Sequence, residues 1–261
     1  MRHPLPHANP HMTTAIPWLA PEDPFPPPSS SWDAHSPMPG LLAAGGVLDV
    51  PHLLAAYRQG IFPWFGEGQP ILWWSTTPRM VLPVAEFRLH HVLRKTIRRL
   101  RRAGTDEIRI DSDFSAVIHA CASMPRTGQS GTWIVPEMVR AYEALHAAGH
   151  AHSVENWVDG RLAGGLYCVA IGRAVFGESM FAHVRDASKI ALAALVALCR
   201  GQGVALIDCQ QNTAHLASLG AREIERDAFL AHVARACTEP ALDWRFAPQC
   251  WDALVQPDTA P

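Results

Sequence analysis

The segment that most restricts the fold of this chain lies between residues 152 and 209. Residues 152 to 158, 161 to 171 and 173 to 181 read as three consecutive strands. Asp159-Gly160 joins the first pair as a hairpin turn, because both residues tolerate positive φ, and Gly172 joins the second. A meander of this kind must be covered by other elements to bury its apolar face. The cover follows at once, in a helix from about Asp186 to Arg200 whose Ile190, Leu192, Leu195, Val196 and Leu198 are too apolar all round to face much water. Val204 to Cys209 is then a short continuous apolar strand, and the crossover helix ahead of it favours parallel pairing. A strand near Glu223 and a helix from Asp227 to about Ala236 complete the α+β order of meander, helix, buried strand, helix.

Upstream, Glu107 to Ile110 predicts a short strand, and Asp111 or Asp113 caps a helix running to about Met124. Pro136 opens another that stops before Gly149. Between residues 90 and 103, Leu93, Ile97 and Leu100 fall on one helical face and leave Arg94, Lys95, Arg98, Arg99, Arg101 and Arg102 on the others. A net charge of −2 creates no global attraction to nucleic acid, so any such contact needs a local patch. Most charge runs are solvated helix faces, but no acidic residue interrupts Arg88 to Arg102, which points to phosphate.

Nearer the N-terminus, Gly40-Leu-Leu-Ala-Ala-Gly-Gly46 leads to a short helix capped by Asp49 and stopped at Gly60, and Ile71 to Trp74 is extended. The expected organisation is a Pro/His/Ser-rich flexible arm over 1–37 and a small N-terminal domain over 38–84. The main α+β domain spans 85–240, and 241–261 is a C-terminal tail. No run of about 18 apolar residues appears, and the first thirty residues lack a signal-peptide apolar region. Six widely spaced cysteines without a C-x-x-C pair fit a reducing cytosol and no structural metal.

The element order resembles the GNAT acyltransferase core, with one motif missing. Where those enzymes cradle a CoA pyrophosphate on a glycine-rich turn, this chain reads Val184-Arg-Asp-Ala-Ser-Lys189, which implies a donor other than CoA.

A set of blocks narrows the resemblance. They are Gly40-Leu-Leu-Ala-Ala-Gly-Gly46, Ala56-Tyr-Arg-Gln-Gly-Ile-Phe-Pro-Trp-Phe65, Pro70-Ile-Leu-Trp-Trp-Ser75 with Pro78-Arg79, and Gly131-Thr-Trp-Ile134. Further along come His152-Ser-Val-Glu155, Gly164-Gly-Leu-Tyr167, Phe176-Gly-Glu-Ser-Met-Phe181, Ala187-Ser-Lys189, Leu206-Ile-Asp-Cys-Gln210 and His215-Leu-Ala-Ser-Leu-Gly-Ala221. In kind and order, from about residue 40 to 230, they resemble the leucyl/phenylalanyl-tRNA protein transferases. Departures are few: Val47 for an acidic residue, Thr76-Thr77 for Pro-Asp, Asn156 for an apolar residue and Ala182-His183 for Ser-Arg. Loss of that arginine removes an expected phosphate contact at 183, with Arg185 close by.

The resemblance implies transfer of Leu or Phe, and less readily Met, from aminoacyl-tRNA to the N-terminal Arg or Lys of an acceptor protein, marking it for degradation. The ester is already activated, so no cofactor, ATP or metal is expected. It also implies catalytic roles for Asp208 and Gln210, the carboxylate polarising the amide toward the amine, with the ribose 2'-hydroxyl as an alternative proton relay. Glu155 matches a position linked to activity, and Glu178, on the third strand, is expected close enough to share its pocket and meet a cationic acceptor. Trp64 and Trp133 are candidates to stack the terminal adenine. Met138, Tyr167, Phe176, Ser179, Met180 and Phe181 are expected around the donor side chain, and Arg94 to Arg102 on the tRNA backbone. Three other readings compete. They are a thiol nucleophile at Cys209 with His152 or His215 as base, a peptidoglycan-type transferase, which needs a duplicated core, and a non-enzymatic tRNA-binding or degradation-adaptor module.

Overall fold

A computed structural model describes residues 15–103, 106–124 and 134–255. Its centre is the meander: β7 (Ala151–Val158), β8 (Arg161–Ile171) and β9 (Ala174–Ala182) pair antiparallel in sequence order. Asp159 and Gly160 both take positive φ, 50° and 72°, which matches the right-handed twist of the strands they join. Helix α5 (Ala187–Gly201) crosses over and sets β10 (Leu206–Gln210) parallel beside β9, with Ile207 opposite Val175 and Asp208 opposite Phe176. Every residue from Ile190 to Cys199 is buried, and each fully buried Leu or Ile stabilises by about 1.5–3 kcal/mol relative to exposure, so the crossover is firmly seated.

Three more strands complete the sheet. β5 (Arg79–Pro83) pairs antiparallel with β10 on one side and with β11 (Arg222–Ile224) on the other, while β6 (Asp106–Ile110) pairs with β7. The order is β11-β5-β10-β9-β8-β7-β6, a mixed sheet in an α+β fold. One face is covered by α3 (Phe114–Ser123) and α4 (Pro136–Ala147), the other by α5 and the basic helix α2 (His91–Ala103).

A second sheet, built from β1 (Trp18–Leu19), β2 (Leu41–Gly45), β4 (Leu72–Trp74) and β3 (Phe62–Pro63) in that order, carries helix α1 (Val50–Tyr57). It has no core of its own. Leu41, Tyr57 and Trp73 share one apolar cluster with Tyr142, Tyr167 and Phe176. β5, expected with the N-terminal unit, instead enters the large sheet. The sequence 41–45 suits a helix in composition, but Gly40, Gly45 and Gly46 at φ 89°, 84° and 74° break any helix there. Nor is the described part of the N-terminal arm free. Ile16, Phe25 and Trp32 pack on the core, and Ser31 Oγ donates to Ser75 O at 2.9 Å. The C-terminal tail likewise packs Trp251 and Val255 into the α5 side. Helix α6 (Ala214–Ser218) follows β10, and α7 (Arg226–Ala236) buries Phe229 and Val233 against the first cluster.

Candidate active site

The ladder between β9 and β10 ends at the Asp208–Phe176 pair, although both strands run on. Beyond that point β9 and β10 no longer pair with each other, and the side chains of Glu178 and Gln210 meet there. Two helices close on Glu178 from the same face. Tyr57 of α1 donates to Glu178 Oε1 at 2.7 Å, and Tyr142 of α4 donates to Oε2 at 3.2 Å. The two phenol oxygens lie 2.5 Å apart. Three oxygen contacts thus share two hydroxyl protons, and the third contact is satisfied when the carboxyl carries one. Burial pushes the Glu178 carboxyl up to about 7, against the two tyrosine hydrogen bonds and with the negative charge of Asp208 adding to the rise. Burial, with the Glu178 charge beside it, also holds both tyrosine hydroxyls well above their usual range.

Gln210 reaches the same carboxylate, its side-chain Nε2 donating to Glu178 Oε1 at 3.5 Å. Its backbone is left-handed at φ 55°, on the bulge where β10 slips against β5. For a residue with a Cβ that conformation costs about 1–2 kcal/mol, so its surroundings must hold it. Thr76 Oγ1 donates to Gln210 O at 3.2 Å, and Asp208 Oδ1 accepts from Gln210 N at 3.0 Å. Asp208 is itself buried and takes two bonds from Arg79, Nε at 2.8 Å and Nη2 at 2.6 Å. Among the described residues no hydrogen bond joins its carboxylate to the Gln210 side chain, contrary to the expected polarised amide.

Glu155 is placed elsewhere. Its ladder partner is Gly165, which pairs on with Phe181, so from Glu178 it lies two strands across and three residues along, roughly 14 Å away at ordinary strand spacings. The two glutamates therefore do not share a pocket. Glu155 is fully buried and accepts from Ser112 Oγ, Asp113 N at 2.9 Å, Ser153 Oγ at 2.8 Å and Trp157 Nε1 at 2.8 Å. Asp113, not Asp111, caps α3, accepting from Ala116 N at 3.0 Å.

Beside Gln210 opens a cavity of about 540 Å³, walled by Trp64, Trp74, Thr76, Pro78, Met38 and Asn212 among others. Trp64 packs against Trp74 with ring centroids 5.3 Å apart. Trp133 lies outside the described residues. Met138, Tyr167, Phe176 and Phe181 are buried in the α3/α4 core, whereas Met180 packs toward α5 and Ser179 is half-buried. The expected donor-pocket residues thus divide between the two faces. On α2, Leu93 and Ile97 turn inward, while Arg94, Lys95, Arg99, Arg101 and Arg102 are exposed and Arg98 half-buried, on the face away from Tyr57 and Tyr142. Burial, with Asp208 alongside, drives the Cys209 thiol far up, so it stays protonated. His152 is taken by Asp111 at 2.7 Å and stacked on Trp244. No group of three or more His, Cys, Asp or Glu able to hold a metal occurs among the described residues, and no described helix is long and apolar enough to cross a membrane.

Sequence reasoning missed Tyr57, Tyr142 and Arg79. Tyr57 and Arg79 stood inside quoted blocks, but Tyr142 sits at an ordinary apolar position of α4, and nothing in its spacing marks it.

The fold and site are those of an α+β protein whose main sheet holds a carboxyl between two phenols where the β9–β10 ladder ends, with an aromatic-walled cavity beside Gln210. The comparisons name the particular family. The leucyl/phenylalanyl-tRNA protein transferase model matches residues 81–234, and the model of that family's N-terminal domain matches 46–77. The chain is 62% identical over 244 residues to the leucyl/phenylalanyl-tRNA protein transferase of Albidiferax ferrireducens, spanning 94% of this chain and 96% of the relative. It is 59% identical over 240 residues to that of a Polaromonas species, spanning 92% and 94%. Against that of Methylibium petroleiphilum it is 59% identical over 246 residues, spanning 94% and 92%. The chain belongs to this family of aminoacyltransferases.

Proposed function

We propose that this enzyme moves Leu or Phe, and less readily Met, from aminoacyl-tRNA onto the N-terminal Arg or Lys of acceptor proteins in the cytoplasm, marking them for degradation. The observation that carries the reading is that Gln210 both lines the cavity with Trp64 and reaches the Glu178 carboxyl with its amide. The cavity receives the terminal adenosine, with Trp64 as a stacking platform contributing about 1–3 kcal/mol. The half-buried edge of β9 at Ser179 and Met180 faces the aminoacyl group. The cationic face of α2 holds the tRNA backbone by phosphate contacts. A GNAT-like core is supported by the meander, the α5 crossover and the parallel β9–β10 pair whose ladder ends at the site.

In the reaction, the acceptor amine forms a bond to the ester carbonyl carbon, the carbon–oxygen bond to the ribose breaks, and the amine proton passes to the ribose oxygen. A carboxyl poised near neutrality accepts and returns a proton well. Glu178 fits that task and also draws in the cationic terminus, while Gln210 orients the reacting groups. The 2'-hydroxyl of the ribose remains a second proton route.

Purified protein incubated with leucyl-tRNA and an Arg-initiated peptide should place leucine on the peptide by a bond stable to mild alkali. An otherwise identical Asp-initiated peptide should remain unmodified. Absence of transfer to the Arg peptide overturns the reading and favours a tRNA-binding module.

A further inference from the structure

The least expected feature of the centre is an arginine that faces neither solvent nor cleft. Arg79 on β5 is 1% exposed. Its guanidinium lies between the rings of Phe62 on β3 and Phe229 on α7, 4.6 Å from each centroid, so three separate parts of the fold meet on one side chain. It grips both oxygens of Asp208 in the two-bond geometry that only arginine offers. Asp208 Oδ1 then holds the Gln210 backbone N–H, and Thr76 holds the Gln210 carbonyl. The amide of Gln210 is left to point at Glu178.

We propose that Arg79 is a positioning residue of the transfer reaction, and that Arg79 and Asp208 together form a neutral buried clamp that fixes the left-handed Gln210 backbone and so aims its amide. The inference rests on the proposed aminoacyl transfer at this site. In it the carboxylate charge of Asp208 does not polarise Gln210. The charge exists to match the guanidinium, and what Gln210 needs is an acceptor oxygen at the Asp208 Oδ1 position. A buried ion pair broken on one side leaves an uncompensated charge, whereas replacing both partners by neutral groups of similar shape is tolerated.

That logic separates the clamp from charge relay. Asp208→Asn keeps an acceptor oxygen but strands the guanidinium, and should lower kcat at least 100-fold on leucyl-tRNA with an Arg-initiated peptide. Adding Arg79→Met fills the slot between the two phenyl rings with a neutral chain. The Arg79→Met/Asp208→Asn protein should recover at least tenfold over Asp208→Asn, with the KM for donor within threefold of wild type. A double variant that melts cooperatively yet is no more active than Asp208→Asn overturns the clamp, because the missing charge is then what matters. If the double variant does not fold, Arg79→Lys decides. It keeps both charges but loses the two-bond grip, so the clamp requires at least a tenfold fall in kcat at unchanged KM, and wild-type turnover overturns it. Inactivity of the wild-type protein itself would instead remove the functional reading on which the clamp depends.

Discussion

Two glutamates on one meander, facing the same side of one sheet, have been put to opposite uses. Glu155 accepts four hydrogen bonds, two of them from residues that open α3, and is sealed from solvent. Its four accepted bonds tie β7 to the helix start. Glu178 is also crowded, but by two phenols that must share protons with it and by one long contact from Gln210, and it keeps part of its surface open. The difference lies in saturation and access, properties of the surrounding elements: one carboxylate is spent on bracing the fold, while the other keeps surface where the β9–β10 ladder ends.

The comparison breaks first at Glu178. Glu178→Gln keeps the shape and supplies an amide in place of the carboxyl, and it should lower kcat/KM for transfer by at least about 100-fold, in the range of a lost acid–base group. Thermal stability should be retained. Turnover within a few-fold of wild type would move the proton chemistry to the ribose hydroxyl. Glu155→Ala should do the reverse. It orphans the buried Ser153 hydroxyl and breaks the part-buried bonds from Trp157 and Asp113, costing about 3 kcal/mol in urea unfolding, while kcat per folded molecule stays within about threefold. A large kcat loss in folded Glu155→Ala protein would return that residue to the catalytic set.

The contrast also marks how far the sequence could be read. The meander, α5, β10 and α7 follow from period, turn chemistry and apolar runs, all local signals, and the bounds of β7 to β9 lie within a residue of those expected. β2 and β5 were not foreseen, because Leu-Leu-Ala-Ala has no strand signature and a proline ends the run at 83; burial by distant partners makes both extended. Gln210 and Glu178, which the structure brings within 3.5 Å, both lay in blocks that carry the family resemblance. The roles of Tyr142 and Arg79 depend on which residues meet across 85 and 129 positions of chain, which no local pattern encodes.

A smaller effect sharpens the phenol pair. Because the hydrogen bond from Tyr57 favours the charged carboxylate, Tyr57→Phe should raise the acidic limb of the pH profile of kcat/KM above about 7. Tyr142→Phe should do the same by less, since its bond is longer and ranks lower among the influences on Glu178. If neither limb moves, a group other than Glu178 sets the profile.

The last expected effect is on the pH dependence of stability, and its sign is fixed by linkage. The folded-state Glu178 carboxyl is raised from 4.5 to about 7, so between those values the folded protein holds a proton that the unfolded chain has released. Where the folded state binds more protons, stability falls as pH rises. Glu178 therefore favours folding fully below about 4.5, loses that contribution progressively to about pH 7, and adds no further slope above. Other groups titrate nearby. Burial lowers His52, His215 and His232 from 6.5, so below that value the folded state binds fewer protons at each and stability rises with pH, opposing Glu178 in the overlap. Glu107 and Asp243 are lowered by their arginine partners and act at pH values below Glu178's window, losing their contribution as pH falls. The absolute curve thus mixes signs, but the difference between wild type and Glu178→Gln does not. Denaturant unfolding of the two proteins from pH 4.5 to 8 should give a difference that shifts in favour of the Gln variant up to about pH 7 and is level beyond it. A difference that is flat across that range would place Glu178 among ordinary carboxylates.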